Sequence, residues 1–282
     1  MSDTRWCSPD AHRQRTDAEA SPHAGTSGHE MFHDGGVPDP IFADPRLAAI
    51  YDAVDDDRSD LDVYAAIVEE LGASSVLDIG CGTGTLACRL ARSGKNVVGL
   101  DPASASLEVA QRKPGAEQVR WVRGDVTSLP TLHVDLALMT ANVAQVFLTD
   151  SEWMQVLAAA AAAVRERGWV VFETRDPARR AWEHWTRSET YRELDIPRIG
   201  RVDTWIDLTD VSPPYVSFRT TFHFWYDGIE LVSESTLRFR TRDEIAESLD
   251  ASGLQLRDVR DAPDRPGLEL VFLAQRRTGD RL

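Results

Sequence analysis

Residues 76–84 read Val-Leu-Asp-Ile-Gly-Cys-Gly-Thr-Gly. An apolar approach ends in an acid, and three glycines at alternate positions then lead into a helix-forming run. This is the pattern of a strand feeding a tight turn beneath a nucleotide-like ligand. Gly80 lets the turn form, and Gly82 and Gly84 remove side chains that would block close approach of the backbone. A dinucleotide fingerprint, Gly-x-Gly-x-x-Gly, would need its third glycine where Thr85 stands. Asp78 separates the two readings further. A carboxylate beside the loop suits a cationic ligand and repels a pyrophosphate, which wants helix N–H groups and no adjacent anion.

The sequence downstream extends the pattern. Asn96 to Asp101 is a short apolar strand ending in an acid, able to accept both hydroxyls of a ribose. Gln118 to Val122 gives a third strand, followed by Gly124-Asp125-Val126, and Asp135 to Met139 a fourth, running into Thr140-Ala141-Asn142. In these stretches, in this order, the chain resembles the class I S-adenosylmethionine-dependent methyltransferases. The resemblance covers roughly residues 45–275. It implies a Rossmann-like, doubly wound, mostly parallel seven-stranded sheet with a terminal antiparallel strand. It implies S-adenosyl-L-methionine as cofactor and S-adenosyl-L-homocysteine as product. Asp78 then lies near the cofactor's ammonium, and Gly80, Cys81, Gly82 and Gly84 cradle it. Asp101 and Pro102 meet the ribose, Asp125 and Val126 the adenine, and Thr140 and Asn142 the methyl end.

Composition narrows the function. A formal net charge of −15 speaks against a nucleic-acid substrate, because neutralising phosphates takes clustered Lys and Arg. No apolar run approaches the roughly 18–20 residues that cross a bilayer, so no membrane role is expected. The N-terminus has no apolar signal core, and a cytoplasmic location is expected. Cys7, Cys81 and Cys88 show no spacing typical of a disulfide or a zinc site, and no metal is expected. Cys81 reads as a small packing residue within the turn.

The chain divides unevenly. Residues 1–40 are polar and aperiodic and read as a disordered tail, with His12, His23, His29 and His33 spread through it. Met31 offers an alternative natural start. Residues 41–72 read as a helical cap in two pieces, split by an aspartate-rich stretch, with Ser59 or Asp60 capping the second. In the resembled family such a preface lies over the cofactor, which brings Tyr51, Arg58 and Tyr64 toward its methionine end. Arg58 either meets the cofactor's carboxylate or answers its aspartate neighbours. Residues 73–175 read as the cofactor-binding α/β core. Thr149 to Glu152 forms a capping box opening an alanine-rich helix that closes near Gly168, and Trp169 to Glu173 is strand five. Residues 241–276 complete the core with a second capping box at Thr241 and Glu244 and a final pair of strands.

Residues 176–240 read as a β insertion over the carboxyl ends of the parallel strands, where ligands of open α/β sheets bind. Three antiparallel strands are expected, with Asp227-Gly228 as a two-residue turn. Along the middle strand Phe218, Phe222, Phe224 and Tyr226 point one way, and Arg219, Thr221, His223 and Trp225 the other. An exposed edge of these strands leaves a homodimer open.

Methyl transfer from a sulfonium needs alignment above all, and a base only if the acceptor must lose a proton. Candidates lie in Glu173-Thr174-Arg175-Asp176 and in a helix-like stretch from Ala178 to Trp185. His184 could be a base between two tryptophans or a surface residue. Asn142 could orient an acceptor, and Arg175 could bind a substrate carboxylate or pair with Asp176. The expected activity is methyl transfer to a small-molecule acceptor. The alternatives are a non-catalytic S-adenosylmethionine-binding protein and, against the glycine spacing, an NAD(P) oxidoreductase.

Overall fold

The computed structural model describes residues 38–55 and 58–279. The tail expected over residues 1–40 lies outside them except for its last three residues, as do Cys7, Met31, His12, His23, His29 and His33.

The chain opens with helices α1 (Pro40–Ala43), α2 (Pro45–Val54) and α3 (Asp60–Glu70). Asp44 caps α2, its carboxylate accepting from the Arg46 and Leu47 amides. Ser59 stands at the N-cap of α3 but its hydroxyl makes no capping bond there, contrary to the sequence expectation. Strands and helices then alternate: β1 (Ser75–Ile79), α4 (Thr85–Arg92), β2 (Asn96–Asp101), α5 (Ser104–Ala110), β3 (Val119–Arg123), β4 (Val134–Met139), α6 (Asp150–Ala163) and β5 (Val164–Arg175). A short helix α7 (Arg187–Thr190) precedes β6 (Arg192–Ile196), β7 (Gly200–Ser212), β8 (Tyr215–Phe224) and β9 (Ile229–Arg238). The chain closes with α8 (Arg242–Ala251), β10 (Leu254–Asp261) and β11 (Glu269–Arg276).

Seven strands form one sheet in the order β10-β11-β5-β4-β1-β2-β3, with β11 antiparallel to both its neighbours and the other pairs parallel. Alternate residues of each strand face opposite layers. Leu77, Met139 and Phe172 pack beneath Trp153, Val156 and Leu157 of α6 and Ile245 and Leu249 of α8. Val76, Leu138, Val171 and Val271 face Leu61, Tyr64 and Val68 of α3 and Leu86 and Leu90 of α4. Both expected capping boxes are present, Thr149 with Glu152 and Thr241 with Glu244. Among the described residues no helix is long and apolar enough to cross a membrane.

The alanine-rich helix stops at Ala163, five residues short of the glycine expected to end it. Val164 already pairs with Val134 of β4, and pairing resumes at Trp169 opposite Leu136, so the intervening residues form a bulge. Arg167 there has a φ of 62°, and a Cβ on Gly168 would lie 2.8 Å from the Arg165 carbonyl. Gly168 therefore serves a close backbone approach inside a strand.

The insertion holds four antiparallel strands in the order β6-β7-β8-β9, one more than expected, because Arg192–Ile196 adds an edge. Its last hairpin turns through four residues, with Phe224 paired to Ile229 and the Gly228 amide donating to the Phe224 carbonyl. Tyr226, expected beside Phe222 and Phe224, stands exposed in that turn. Phe222 and Phe224 bury themselves with Val202 and Ile196 against Leu47 and Ile50 of α2. Arg46 completes this joint, with its two terminal nitrogens 2.8 and 3.0 Å from the Asp227 carboxylate and its guanidinium 3.6 Å from the centre of the Phe224 ring.

Candidate functional site

The three glycines of the loop after β1 have different neighbours. A Cβ on Gly80 would lie 2.6 Å from a Val143 methyl, and one on Gly84 2.5 Å from the Trp121 ring and 2.7 Å from Ala110. Gly84 therefore admits Trp121, a packing role. A Cβ on Gly82, where φ is +51°, would meet nothing within 4 Å. Gly82 is the position where the backbone presents an open face.

Two buried carboxylates stand at this loop. Asp101, at the end of β2, accepts the Gly82 amide on Oδ2 at 2.7 Å and the Ala103 amide on Oδ1 at 2.8 Å. Burial raises its pKa above the ordinary value, and these amide donors oppose the rise. A carboxylate has lone pairs left beyond those two bonds, so it can still accept from a ligand's hydroxyls. Asp78 is 1% exposed and its Oδ1 has no hydrogen-bond partner. Burial, with the Asp101 charge adding to it and Arg58 opposing, pushes its pKa up to about 7. An orphaned acceptor here is costly unless a donor arrives, and an ammonium group meets that need. Cys81 lies between these acids; burial and their charge raise its thiol pKa well above the usual value, which keeps it neutral and fits the packing role.

Further around the loop, the Gly124 amide donates to the Asp101 carbonyl at 3.0 Å. Asp125 is exposed, and its carboxylate accepts the Thr127 amide at 2.9 Å. Val126 is half-buried, and Pro102 is exposed. Beyond β4, Thr140 is buried, and Ala141 and Asn142 both adopt left-handed backbone, with φ of 55° and 63°. Such conformations in non-glycine residues persist where the surroundings enforce them, commonly at binding sites.

The cap reaches this loop through Asp52. Its Oδ1 accepts the Thr83 hydroxyl at 2.6 Å and the Thr85 hydroxyl at 3.2 Å, and Lys113 Nζ lies 2.5 Å from Oδ2. Tyr51 is pushed up to about 12 by burial and by the charge of Asp55. Arg58 lies 3.3 Å from both Asp55 and Asp60, answering its aspartate neighbours, while its charge still reaches Asp78.

A second polar group forms where β4, β5 and β11 end together. Glu173 faces Val271 across the β5–β11 pair, and Arg175 faces Glu269. The Asn142 amide N–H donates to Glu173 Oε1 at 2.9 Å, and Asn142 Nδ2 donates to Glu269 Oε1 at 3.2 Å. Glu269 also accepts from Arg265 at 2.6 Å and lies 3.4 Å from Arg175 Nε. Arg175 Nη1 donates to Gln145 Oε1 at 3.3 Å, and its guanidinium lies 5.2 Å from the centre of the Trp185 ring. Its partner is thus Glu269, not Asp176, which instead accepts the Ala178 amide at 2.9 Å. Burial, with Glu269 adding to it, pushes the Glu173 pKa up to about 8.

His184 does not join either group. Its side chain is 78% exposed and lies 3.4 Å from Glu189. The expected helix around it is two short 3-10 turns, Pro177–Arg179 and Ala181–His184, broken by Arg180 at a φ of 48°. Trp182 is buried against Phe239, and Trp185 lies edge-on to Phe218. His223 is half-buried beside Trp225. The residues missed from sequence are Glu269, Arg265, Gln145 and Asp52. Glu269 alone had left a signal, an acid inside an otherwise apolar terminal strand.

Residues 76–168 match the family of methyltransferase domains. An uncharacterized methyltransferase of Oceanobacillus iheyensis is 34% identical over 113 residues, covering 39% of this chain and 52% of that one. The cypemycin N-terminal methyltransferase of a Streptomyces is 28% identical over 144 residues, covering 50% and 59%. The chain thus spans about half the length of these relatives. Among solved structures, an S-adenosylmethionine-dependent methyltransferase of Clostridium acetobutylicum superposes with a TM-score of 0.64 at 18% identity, covering 82% of this chain and 98% of that one. The sugar N-methyltransferase KedS8 of a Streptoalloteichus superposes with a TM-score of 0.68 at 15% identity, covering 95% and 100%, a likeness of fold. Motif and family match converge on residues 76–168 as a methyltransferase domain, set in a fold like that of solved S-adenosylmethionine-dependent methyltransferases.

Proposed function

We propose that the chain transfers the methyl group of S-adenosyl-L-methionine to a small-molecule acceptor by in-line displacement. The observation that carries this is the unpartnered, buried Oδ1 of Asp78 beside the open face of Gly82. In this reading Asp78 takes the cofactor's ammonium, and the backbone of Gly80, Cys81 and Gly82 lies along it. Asp101 accepts from the ribose and Pro102 flanks it, while Asp125 and Val126 meet the adenine. Thr140 and Asn142 border the methyl end, and Tyr51 and Arg58 close over the methionine portion from the cap. Bound cofactor supplies a methyl group already activated on a sulfonium. The protein's part is to hold the acceptor in line in a dry site, an effect worth about 7–11 kcal/mol when alignment is complete. Gly84 supports the loop through Trp121 and is not assigned to the ligand.

A net charge of −15 supports a small-molecule acceptor over a nucleic acid, and the reading carries a cytoplasmic setting with it. A homodimer would use exposed apolar side chains of the insertion such as Leu208, Val211 and Val232. Calorimetric titration of the full chain with S-adenosylmethionine, S-adenosylhomocysteine and NAD⁺ tests the assignment. Micromolar binding of the first two and none of the third is expected. Silence from both adenosyl ligands, or preference for NAD⁺, would overturn it.

A further inference from the structure

Asp78, Glu173 and Glu269 share one face of the central sheet. Each lies two residues beyond, or two before, a residue that faces α3 and α4: Val76, Val171 and Val271. Their strands stand in the order β11-β5-β4-β1, and Asp78 lies level with Leu138 and Val171. Glu173 therefore lies two strands across and two residues further along, about 12 Å from Asp78 at the usual spacings. Asn142, at the end of β4, lies between them. If the cofactor's ammonium is held at Asp78, the space over Asn142 and Glu173 is where an acceptor meets the methyl. Placing the acceptor there rests on the function proposed above.

The unpartnered buried atoms along this row are acceptors. Asn142 is 4% exposed, donates through its backbone to Glu173 and through its side chain to Glu269, and its Oδ1 has no partner. Glu269 is 1% exposed and neutralised, with Arg265 at 2.6 Å and Arg175 at 3.4 Å. Glu173, 5% exposed, is bound by an uncharged donor, the Asn142 amide. A group that satisfies both Glu173 and Asn142 Oδ1 must bring at least two donor hydrogens and is best cationic. A hydroxyl has one hydrogen to give; a primary ammonium has three. A carboxylate has none and would face Glu173 directly.

We propose that Glu173 binds the acceptor nitrogen of a primary or secondary amine and takes its proton before methyl transfer, with Asn142 Oδ1 orienting the remaining N–H. The substrate enters as an ammonium ion and passes one proton to the ionised Glu173. The nitrogen lone pair thus freed forms the bond to the methyl carbon, the carbon–sulfur bond breaks, and its electron pair stays on sulfur. The product is a methylated ammonium ion, and Glu173 returns its proton to solvent. Burial favours the protonated form of Glu173 at neutral pH, Glu269 on β11 reinforces that, and Arg265 and Arg175 oppose it. An arriving ammonium reverses the balance, so binding at pH 7 expels a proton from Glu173.

The test uses the full chain loaded with S-adenosylhomocysteine, titrated by calorimetry at pH 7 with benzylammonium, benzyl alcohol and phenylacetate in buffers of different ionisation enthalpy. Benzylammonium should bind at least tenfold more tightly than the other two, with release approaching one proton per ligand. Glu173→Gln, which keeps the shape of the side chain, should remove both the preference and the proton release while leaving S-adenosylhomocysteine affinity unchanged. If S-adenosylhomocysteine itself does not bind, the methyltransferase reading fails and takes this proposal with it. If it binds and benzylammonium shows no advantage, or fails to bind at all, the amine proposal alone is overturned. Retention of the preference and the proton release by Glu173→Gln would overturn it equally.

Discussion

Asp52 of the cap helix accepts the hydroxyl of Thr83 in the glycine loop at 2.6 Å, and Lys113 closes on the same carboxylate at 2.5 Å. The cap is therefore fastened to the glycine loop assigned above to the cofactor, not merely packed near it. Removing Asp52 takes the counter-charge from the half-buried Lys113, which keeps only the Thr85 hydroxyl, and leaves the buried Thr83 hydroxyl without its acceptor. Asp52→Ala should raise the dissociation constant for S-adenosylmethionine about 3–10-fold, the equivalent of one such bond. Amide exchange across residues 45–54 should quicken. Unchanged affinity and exchange would show that the joint of Phe222, Phe224 and the Arg46–Asp227 pair holds the cap without Asp52.

Asp101 ties Gly82 and Ala103 through their amides, and in the proposed function its remaining lone pairs accept from the ribose. Asp101→Ala should weaken S-adenosylmethionine binding at least about tenfold, since charge-assisted bonds to the ligand and the loop's own anchors are lost together. Affinity equal to the wild type would remove Asp101 from the site.

Gly82 and Gly84 should part company on substitution. Gly84→Ala drives a methyl into Trp121 and Ala110 at a φ of +72° and should lower the melting temperature by several degrees or prevent folding. Gly82→Ala meets open space, so it should cost only about 1 kcal/mol of backbone strain. Its main effect should be weaker cofactor binding, read by titration. A Gly82 variant that unfolds as readily as the Gly84 variant would contradict the assignment.

His184, a candidate base by sequence, is turned away from both polar groups. With its side chain 78% exposed and beside Glu189, His184→Ala should leave turnover within about twofold of wild type. Loss of turnover with cofactor binding intact would restore it as a base.

Asp135 offers a pH-dependent control far from the chemistry. It accepts the Ser74 and Ser75 amides at 2.9 and 3.0 Å and lies 2.5 Å from Arg165 Nε, contacts that hold its carboxyl well below the usual range. A pKa lowered on folding stabilises the protein above the unfolded value near 4 and ceases to do so as pH falls below it. Asp135→Asn should thus lower stability by about 1–3 kcal/mol at pH 7, and the deficit should shrink below pH ~4. Denaturant unfolding at both pH values reads this, and a deficit independent of pH would refute the ion-pair account.

The parallel core, both capping boxes and the glycine turn after β1 were readable in the sequence because each rests on local chemistry. Glycine spacing, an acid after an apolar run, and Thr with Glu three residues on act within a few residues of chain. The bulge at Gly168 escaped that reading because only the folded bulge brings the Arg165 carbonyl within 2.8 Å, and the Asp135 carbonyl across the sheet within 3.0 Å, of where a Cβ would stand. The same holds for Gly84, whose demand comes from Trp121 on another strand. Periodicity placed Phe222 and Phe224 on one face but could not say what covers it; α2 does.

By itself the sequence determined the fold class and the glycine turn after the first parallel strand, since short-range pattern dictates backbone conformation. Tertiary structure decided which of several polar residues near the end of β5 meet. Glu269 and Asn142 join Glu173 only because β11 inserts antiparallel beside β5 and β4 ends next to both. His184, nearer in sequence to Arg175 and chemically more suggestive, is turned to solvent because the buried Trp182 and the half-buried Trp185 pack inward from that segment.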